Sequence, residues 1–292
     1  MSFEIPLGEW IEAVVEWCNV HLAAFFDGLS LVIGSLIGAV ESALLYPPAL
    51  ALAAVIVVLA AWRVGWRFAA FAVAALALVL GMDLWAETMI TLALIIASTA
   101  ISLILGLPLG IAAARSDLVQ TMVRPLMDLM QTLPPFVYLI PAAMFFGLGK
   151  VPGAIATIIF AMPPAVRLTA LGIRNVDAEI VEAGLAFGCT ARQLLMRVQL
   201  PMALPSIMAG INQTVMLALS MVVIAAMIGA GGLGNEVLRG IQRLEIGVGF
   251  EGGIGVVVLA ILLDRITQSF GTGEPPHTLL ARWLRALLAR EA

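Results

Sequence analysis

Long apolar stretches separated by short links most constrain how this chain can fold. After Pro47 and Pro48, seven segments are apolar over a length that crosses a bilayer or nearly does, at 47–62, 66–82, 88–114, 124–149, 151–167, 204–229 and 249–266. Hydrophobic residues make up 62% of the chain and charged residues only 12%, whereas about a quarter of a soluble protein is charged. The sequence therefore predicts an all-α, polytopic membrane protein.

The basic residues predict how these segments are oriented. Positive charges are held back from translocation, so the links that carry them stay in the cytoplasm. With the N-terminus outside and the C-terminus in the cytoplasm, only three of the 15 basic residues face outward, namely Lys150, Arg239 and Arg243. We therefore expect the segment between the fifth and sixth spans to be cytoplasmic.

Residues 1–46 read differently from the rest. Trp10, Val14 and Trp17 share a helical face among acidic residues, which favours a helix lying in the outer interface. The following stretch, 29–46, repeats a small residue every fourth position, a pattern that lets membrane helices approach closely. Glu41 interrupts it, so hydropathy leaves open whether this stretch crosses, and the charge distribution favours that it does not.

Prolines predict that several spans are broken. Pro108 lies in the third span, the pair Pro134 and Pro135 in the fourth, and the pair Pro163 and Pro164 at the expected end of the fifth. A proline inside a membrane helix needs neighbouring groups to satisfy the carbonyl it frees. Simple bending explains any one of them, but together they favour a core that moves.

Polar side chains in the sixth span have two readings. Asn212 and Gln213 lie at hydrocarbon depth, and Gln213, Met216 and Ser220 share one helical face. They either hydrogen-bond to another helix or line a pathway. For Asp264, at the inner end of the last span, a local ion pair with Arg265 or interfacial anchoring is expected.

The cytoplasmic segment Glu182–Pro201 reads as a helix, a corner and a second helix. Asp177 is placed to cap the first helix through its carboxylate. Gly188 suits a left-handed residue at the helix end, and Thr190 followed by Gln193 has the form of a capping box. Pro201 is expected to end the second helix. The segment thus predicts a compact two-helix bracket at the membrane surface.

Several kinds of site are excluded or weakened. The sequence has no G-x-x-x-x-G-K-[ST] loop, so we expect no ATP hydrolysis by this chain, and no nucleophile and base pair or metal-ligand set is visible. Gly229–Asn235 is expected to be a flexible outer closure. Cys18 and Cys189 fall on opposite sides of the predicted topology, which argues against a bond between them.

The bracket resembles the "EAA" coupling loop of ABC importer permeases. Its Glu-Ala-Ala, glycine and aliphatic-x-Leu-Pro positions match Glu182, Ala183, Gly188, Val198, Leu200 and Pro201, while Gly184 replaces the second alanine. A glycine there costs about 1 kcal/mol of helix propensity. In that family the loop inserts into a groove of a separate ATPase, so the resemblance implies this role for the bracket.

From about residue 85 to 270 the chain is similar to permeases of glycine betaine, proline betaine and choline importers. The segments that carry this resemblance include DLMQTLPPFVYLIP and AGINQTVMLALSMVVIA. The resemblance implies a type I importer core of five helices at 83–270, with a coupling loop at about 168–203. It leaves two accessory spans at 47–82, an outer segment at 1–46 and an amphipathic basic tail at 271–292. Phe136 and Tyr138 become candidates to line a path, with ordinary packing as the alternative.

The resemblance also implies the partners. These are an ATPase that binds ATP and Mg, an extracytoplasmic binding protein, a second copy of this chain and the inner-membrane bilayer, with no cofactor in this chain and no nucleic acid. Two alternatives stay open: an amino-acid permease of the methionine type, which shares the five-helix core, and an ion-coupled secondary transporter. The second would need an ionisable residue at mid-membrane, and the sequence offers none away from the span ends.

Overall fold

Residues 6–271, described here from a computed structural model, fold into thirteen α-helices and contain no strand. In chain order the first seven are α1 Leu7–His21, α2 Ala23–Leu45, α3 Ala49–Arg63, α4 Trp66–Gly81, α5 Trp85–Arg115, α6 Asp117–Thr132 and α7 Pro135–Phe146. The others are α8 Lys150–Arg174, α9 Ala178–Ala186, α10 Ala191–Leu194, α11 Leu200–Ala225, α12 Leu233–Arg243 and α13 Ile246–Gly271. The all-α polytopic prediction is confirmed; the predicted basic tail lies outside the described residues except for Gly271.

Five helical stretches in the described part are long and apolar enough to cross a membrane. They are α2, α5, α8, α13 and the continuous stretch Ala191–Ile228 that contains α10 and α11. The segment that hydropathy left open, 29–46, thus belongs to a helix of 23 residues. The two accessory spans expected at 47–82 form the shorter helices α3 and α4, of 15 and 16 residues, against the roughly 20 that cross a bilayer. That α3 and α4 cross stays a prediction.

The core is built around α8, which packs between α5 and α11. A Cβ added at Gly110 of α5 would lie 2.7 Å from the carbonyl oxygen of Val166, and one added at Gly210 of α11 would lie 3.1 Å from the carbonyl oxygen of Pro164. Without a driving force between apolar surfaces in lipid, such close backbone approach is what holds membrane helices together. The small residues therefore determine which helices are neighbours.

The prediction of broken spans is wrong for two of three helices. α5 runs unbroken through Pro108, and α8 continues past Pro163 and Pro164 to Arg174. Both α8 prolines are buried; because neighbouring helices pack tightly around them, the missing hydrogen bonds do not end the helix. The fourth span is the exception, since α6 and α7 meet at an angle of 99°.

Two prolines cause the bend between α6 and α7, and a tyrosine hydroxyl stabilises it. Pro134 and Pro135 cannot extend α6 because they lack the N–H that the helix needs. On the other side of the bend, the Tyr138 hydroxyl donates to the carbonyl oxygens of Met130 at 2.7 Å and Leu129 at 3.3 Å. The Met130 carbonyl is one of those that a helix end leaves without a backbone partner, so Tyr138 ties the two helices together.

Several of the loop ends that carry basic residues lie on one face. Arg63, at the α3–α4 turn, donates to the Ser269 carbonyl oxygen at 2.7 Å and lies 4.0 Å over the Phe270 ring. Arg174, at the end of α8, pairs with Asp117 at 2.8 Å. The turn after α3, the start of α6 and the ends of α8 and α13 therefore share this face, where α9 and α10 also lie.

Candidate coupling site and pathway

The first helix of the bracket starts at Asp177, though not as expected. Asp177 occupies the capping position, but its side chain accepts no cap hydrogen bond. Its backbone carbonyl instead accepts from the N–H groups of Ile180 at 3.1 Å and Val181 at 3.2 Å. The prediction that the carboxylate caps α9 is wrong, and the exposed side chain leaves the first turn to the backbone carbonyl.

Gly188 ends α9 with the predicted left-handed conformation, at φ 78°. The N–H of Cys189 bonds to the carbonyl of Gly184 at 3.1 Å, and the N–H of Gly188 bonds to that of Leu185 at 2.9 Å. This pair of bonds is the Schellman motif. Because a Cβ is strained at positive φ, glycine is the residue that closes this corner at least cost.

Thr190 starts the second helix, and the predicted capping box is confirmed. The Gln193 N–H donates to the Thr190 hydroxyl at 3.3 Å, while the Gln193 side-chain oxygen accepts from the Thr190 N–H at 2.9 Å. Two donors that a helix start leaves free are thereby satisfied. Only two residues separate Gly188 from α10, so the corner is short and stiff.

Pro201 does not end the second helix. α10 passes through a π-helical turn, Leu195–Gln199, into α11, whose second residue is Pro201. The N–H of Leu200 bonds to the carbonyl of Leu195, five residues back. A proline lacks the N–H of the next regular bond and its ring would clash with the carbonyl of Arg197; a wider turn removes both problems. The second helix of the bracket and the sixth span are therefore continuous.

Gly184, the departure from the family's pattern, has a packing reason. A Cβ added there would lie 2.8 Å from Cδ1 of Leu194, so an alanine would have to displace that side chain. Leu194 and Leu195 are buried, and Leu195 joins a cluster with Ile173, near the end of α8, and Ala203, near the start of α11. The two short helices thus pack on each other and on the core.

The face of the bracket that points away from the core is exposed and apolar. Glu182 and Ala183 are exposed, and the side chains of Leu185 and Phe187 are 54% and 92% exposed. The sequence interpretation missed Leu185 and Phe187; large apolar residues in a link predicted to be cytoplasmic were the available signal. Behind this face, Glu182 lines a cleft of about 490 Å³ together with Arg115 and Gln199.

Of the candidate pathway residues, two are engaged within the chain. Asn212 donates to Asp264 at 3.0 Å and accepts from the Thr267 hydroxyl, which joins α11 to α13. Tyr138 is buried and holds the α6–α7 bend. Of the two expectations for Asp264, the ion pair with Arg265 is wrong, since among the described residues Asp264 bonds to Asn212 and to Gln268 at 2.6 Å; interfacial anchoring stays a prediction.

The other candidates face outward from the single chain. Gln213 and Ser220 are exposed and Met216 is half-buried on the same face of α11. The Ser220 hydroxyl donates to the carbonyl of Met216 at 3.1 Å, and Phe136 on α7 is 52% exposed. The described residues offer Gln213 no hydrogen-bond partner, so this face is polar at membrane depth and lacks cover from its own chain.

The remaining chemistry is limited. Cys18 and Cys189 are both free, and within residues 6–271 no three His, Cys, Asp or Glu side chains are grouped to hold a metal ion. The glycine-rich link before α12 contains three left-handed glycines, and the Leu233 N–H after it donates to the Thr91 hydroxyl at 2.8 Å. It is held by α5 rather than standing apart from the fold.

Comparison with known proteins assigns this helical membrane fold to a class of transport proteins. Residues 106–272 match the family described as "Binding-protein-dependent transport system inner membrane component". The chain belongs to this family and is the transmembrane subunit of an ABC importer. Membership implies an ATPase subunit and a substrate-binding protein as partners, and a place in the membrane.

Two relatives are similar over most of their length. The chain is 47% identical to the glycine betaine/proline betaine transport system permease protein ProW of Escherichia coli over 268 residues, 91% of this chain and 75% of the relative. It is 46% identical to the glycine betaine transport system permease protein OpuAB of Bacillus subtilis over 265 residues, 91% of this chain and 94% of the relative.

The fold also matches a solved structure. The inward-facing MetNI methionine ABC transporter contains a chain that superimposes with a TM-score of 0.56 at 23% identity, covering 64% of this chain and 95% of that chain. At this identity the likeness concerns the fold. It agrees with the type I core of five spans that the sequence predicted.

Proposed function

We propose that this chain passes a quaternary ammonium compound, glycine betaine, proline betaine or a choline-like molecule, from an extracytoplasmic binding protein to the cytoplasm. The observation that carries the substrate class is the identity of 46–47% over 91% of the chain to permeases named for glycine betaine. Uptake into vesicles of the assembled transporter tests it. Unlabelled glycine betaine, proline betaine, choline and methionine each compete with labelled glycine betaine, and methionine as the strongest competitor would overturn the proposal.

The bracket is proposed to be the ATPase-coupling element. Its exposed apolar side chains, Leu185 and Phe187, offer a partner the kind of surface that interface cores use, and Glu182 adds a charge beside them. Because the bracket continues into α11 without a break, a push on it moves the sixth span as one body. α11 in turn packs on α8 through Gly172 and Gly210, so the motion reaches the centre of the core. ATP and Mg remain with the partner.

A pair of charge reversals tests this role. Glu182→Lys is expected to abolish co-purification of the ATPase and to reduce uptake at least tenfold, while membrane insertion stays normal. Glu179→Lys, also exposed on α9, makes the same change one turn away and serves as the matched control. Full ATPase binding by the Glu182 variant would sink the assignment.

The uncovered face of α11 is proposed to line a pathway between two copies of the chain. An amide such as Gln213 facing hydrocarbon without a partner is costly, whereas a water-filled path or a second copy satisfies it. Met216 and Ser220 lie on the same face of α11, and Phe136 on α7 is also exposed in the single chain. We expect Gln213→Leu to lower uptake several-fold without loss of ATPase binding. Unchanged uptake would remove Gln213 from the pathway.

The proposed orientation has the N-terminus outside, the C-terminus in the cytoplasm and the bracket inside. It is supported by the shared face of Arg63, Arg174 and the end of α13, since basic residues stay on the cytoplasmic side. Reporter fusions after residues 22, 46 and 190 measure it. The proposal requires an outer signal at 22 and 46 and an inner signal at 190; opposite signals at 22 and 46 would mean that α2 crosses.

A further inference from the structure

Helix α7 lies between a proline bend at its start and a glycine link at its end. At its start the chain bends by 99° from α6, and at its end three residues link it to α8. Two of them, Gly147 at φ 74° and Gly149 at φ 127°, adopt backbone conformations that other residues rarely take. A helix of 12 residues between a proline bend and a glycine link needs support from the side.

Tyr138, Leu139 and Ala142 join the main core with residues of α8, and the first two helices support the last turn of α7. The Asn19 side chain of α1 donates to the Met144 carbonyl oxygen at 3.4 Å. On α2, the Phe26 ring stacks on Phe145 with 4.7 Å between ring centroids and meets Phe146 edge-on at 5.3 Å. All three contacts are to the last turn of α7, which no further helical turn of α7 stabilises.

An ion pair attaches α2 to the other side of the same link. The Lys150 ammonium lies 2.7 and 2.5 Å from the two carboxylate oxygens of Glu41. The Glu41 side chain is 19% exposed, so the charge is largely shielded from water and needs its partner. Beside it, Gly34 lets α2 approach Val151, whose Cγ2 would be 3.4 Å from an added Cβ.

We propose that α1 and α2 form a brace that positions α7, with Glu41 as its positioning residue. Phe26 and Glu41 are separated by about 22 Å of helix, yet both contact the short span from Phe145 to Lys150. The brace therefore bridges the glycine link and makes α7 move with α8. The effect on transport rests on the proposed function, because α7 carries the candidate pathway residue Phe136.

Hydrogen–deuterium exchange on the assembled transporter measures the brace directly. Glu41→Gln keeps the size of the side chain and removes the charge. We expect amides of 136–149 to exchange at least threefold faster, with α8 and α11 unchanged. The charge-swapped double variant Glu41→Lys with Lys150→Glu is expected to restore protection. Asp27→Asn, an exposed acid on the same helix without a partner among the described residues, is the matched control and should change nothing.

A second variant keeps the test decisive if Glu41→Gln does not accumulate in the membrane. Phe26→Ala removes the aromatic contacts without altering charge and is expected to speed exchange of 136–149 in the same way. Unchanged exchange of 136–149 in a folded variant, or failure of the charge swap to restore it, would overturn the proposal.

Transport provides an independent measurement. Uptake of labelled glycine betaine should fall about threefold in Glu41→Gln, recover in the charge swap, and leave ATPase co-purification intact. Uptake that falls without recovery in the swap would contradict a positioning role. If the wild-type transporter carried none of the tested amines, the proposed function would fail while the exchange result still decided the brace.

Discussion

Two of the links that turn on left-handed glycines are stabilised in opposite ways. The bracket corner around Gly188 draws its hydrogen bonds from residues 184–193. The outer corner around Gly147 and Gly149 draws its contacts from residues 19, 26, 41 and 228, because the Gly149 N–H also donates to the Ile228 carbonyl at 2.8 Å. The first corner is self-contained, and the second exists only because distant helices meet there.

This difference suits the two places. A coupling element that must carry a push has to stay rigid wherever it moves, which short local hydrogen bonds provide. An outer corner next to a proposed pathway benefits from contacts that can be kept or released one by one. Substitutions at the two corners should therefore have different effects on stability and on ATPase binding.

The largest effect is expected at the outer corner. Gly149→Ala places a Cβ at φ 127° and ψ −155°, a region that only glycine populates, at a cost of about 3 kcal/mol. Thermal unfolding should start at a lower temperature, while ATPase co-purification stays intact. Gly38→Ala, in open space within α2, is the control and should be neutral or slightly stabilising.

Gly188→Val is expected to produce the reverse pattern. A β-branched residue at φ 78° costs about 2 kcal/mol and distorts the bracket, so ATPase binding and uptake should fall tenfold or more with insertion unchanged. Gly184→Ala has room once Leu194 shifts, and we expect it to be close to wild type. Equal loss in both variants would mean that the corner geometry is not what matters.

Thr190→Ala sharpens the comparison within the bracket. Loss of the capping box costs about 1 kcal/mol, so a several-fold loss of ATPase affinity is expected, with the unfolding temperature hardly changed. Thr121→Ala on α6, whose hydroxyl bonds to a carbonyl within its own helix, provides a threonine outside both corners. An effect of Thr190→Ala on exchange at 136–149 would show that the two links are not independent.

The smallest effect is expected on the outer side, after α12. Leu244 ends that helix at φ 57°, where glycine is the usual residue. Leu244→Gly should therefore raise stability by about 1 kcal/mol in detergent, as measured by thermal unfolding. A destabilised variant would mean that the leucine side chain, 87% exposed in the single chain, is covered by lipid or another protein.

The success of the sequence interpretation followed this same division. Gly188, Thr190 and Gln193 were assigned their roles correctly because their partners lie within a few residues. Asp177 and Pro201 were assigned wrongly: the Asp177 carboxylate makes no cap hydrogen bond, and a π turn accommodates the proline. The sequence could not decide whether Asn212 bonds to another helix or lines a pathway, because its partners Asp264 and Thr267 are some 50 residues away.

Apolar segment length, basic residues and local capping patterns are properties of neighbouring residues, and from them the chain alone determined the helical membrane class and the form of the bracket. Only the tertiary structure decided that Glu41 and Lys150, which look like separate anomalies 109 residues apart, neutralise each other beside α7. It also decided that α8 continues through its prolines and that the second helix of the bracket is continuous with α11. Each of these depends on which helices lie side by side, and helix packing in lipid rests on close contacts that hydropathy does not encode.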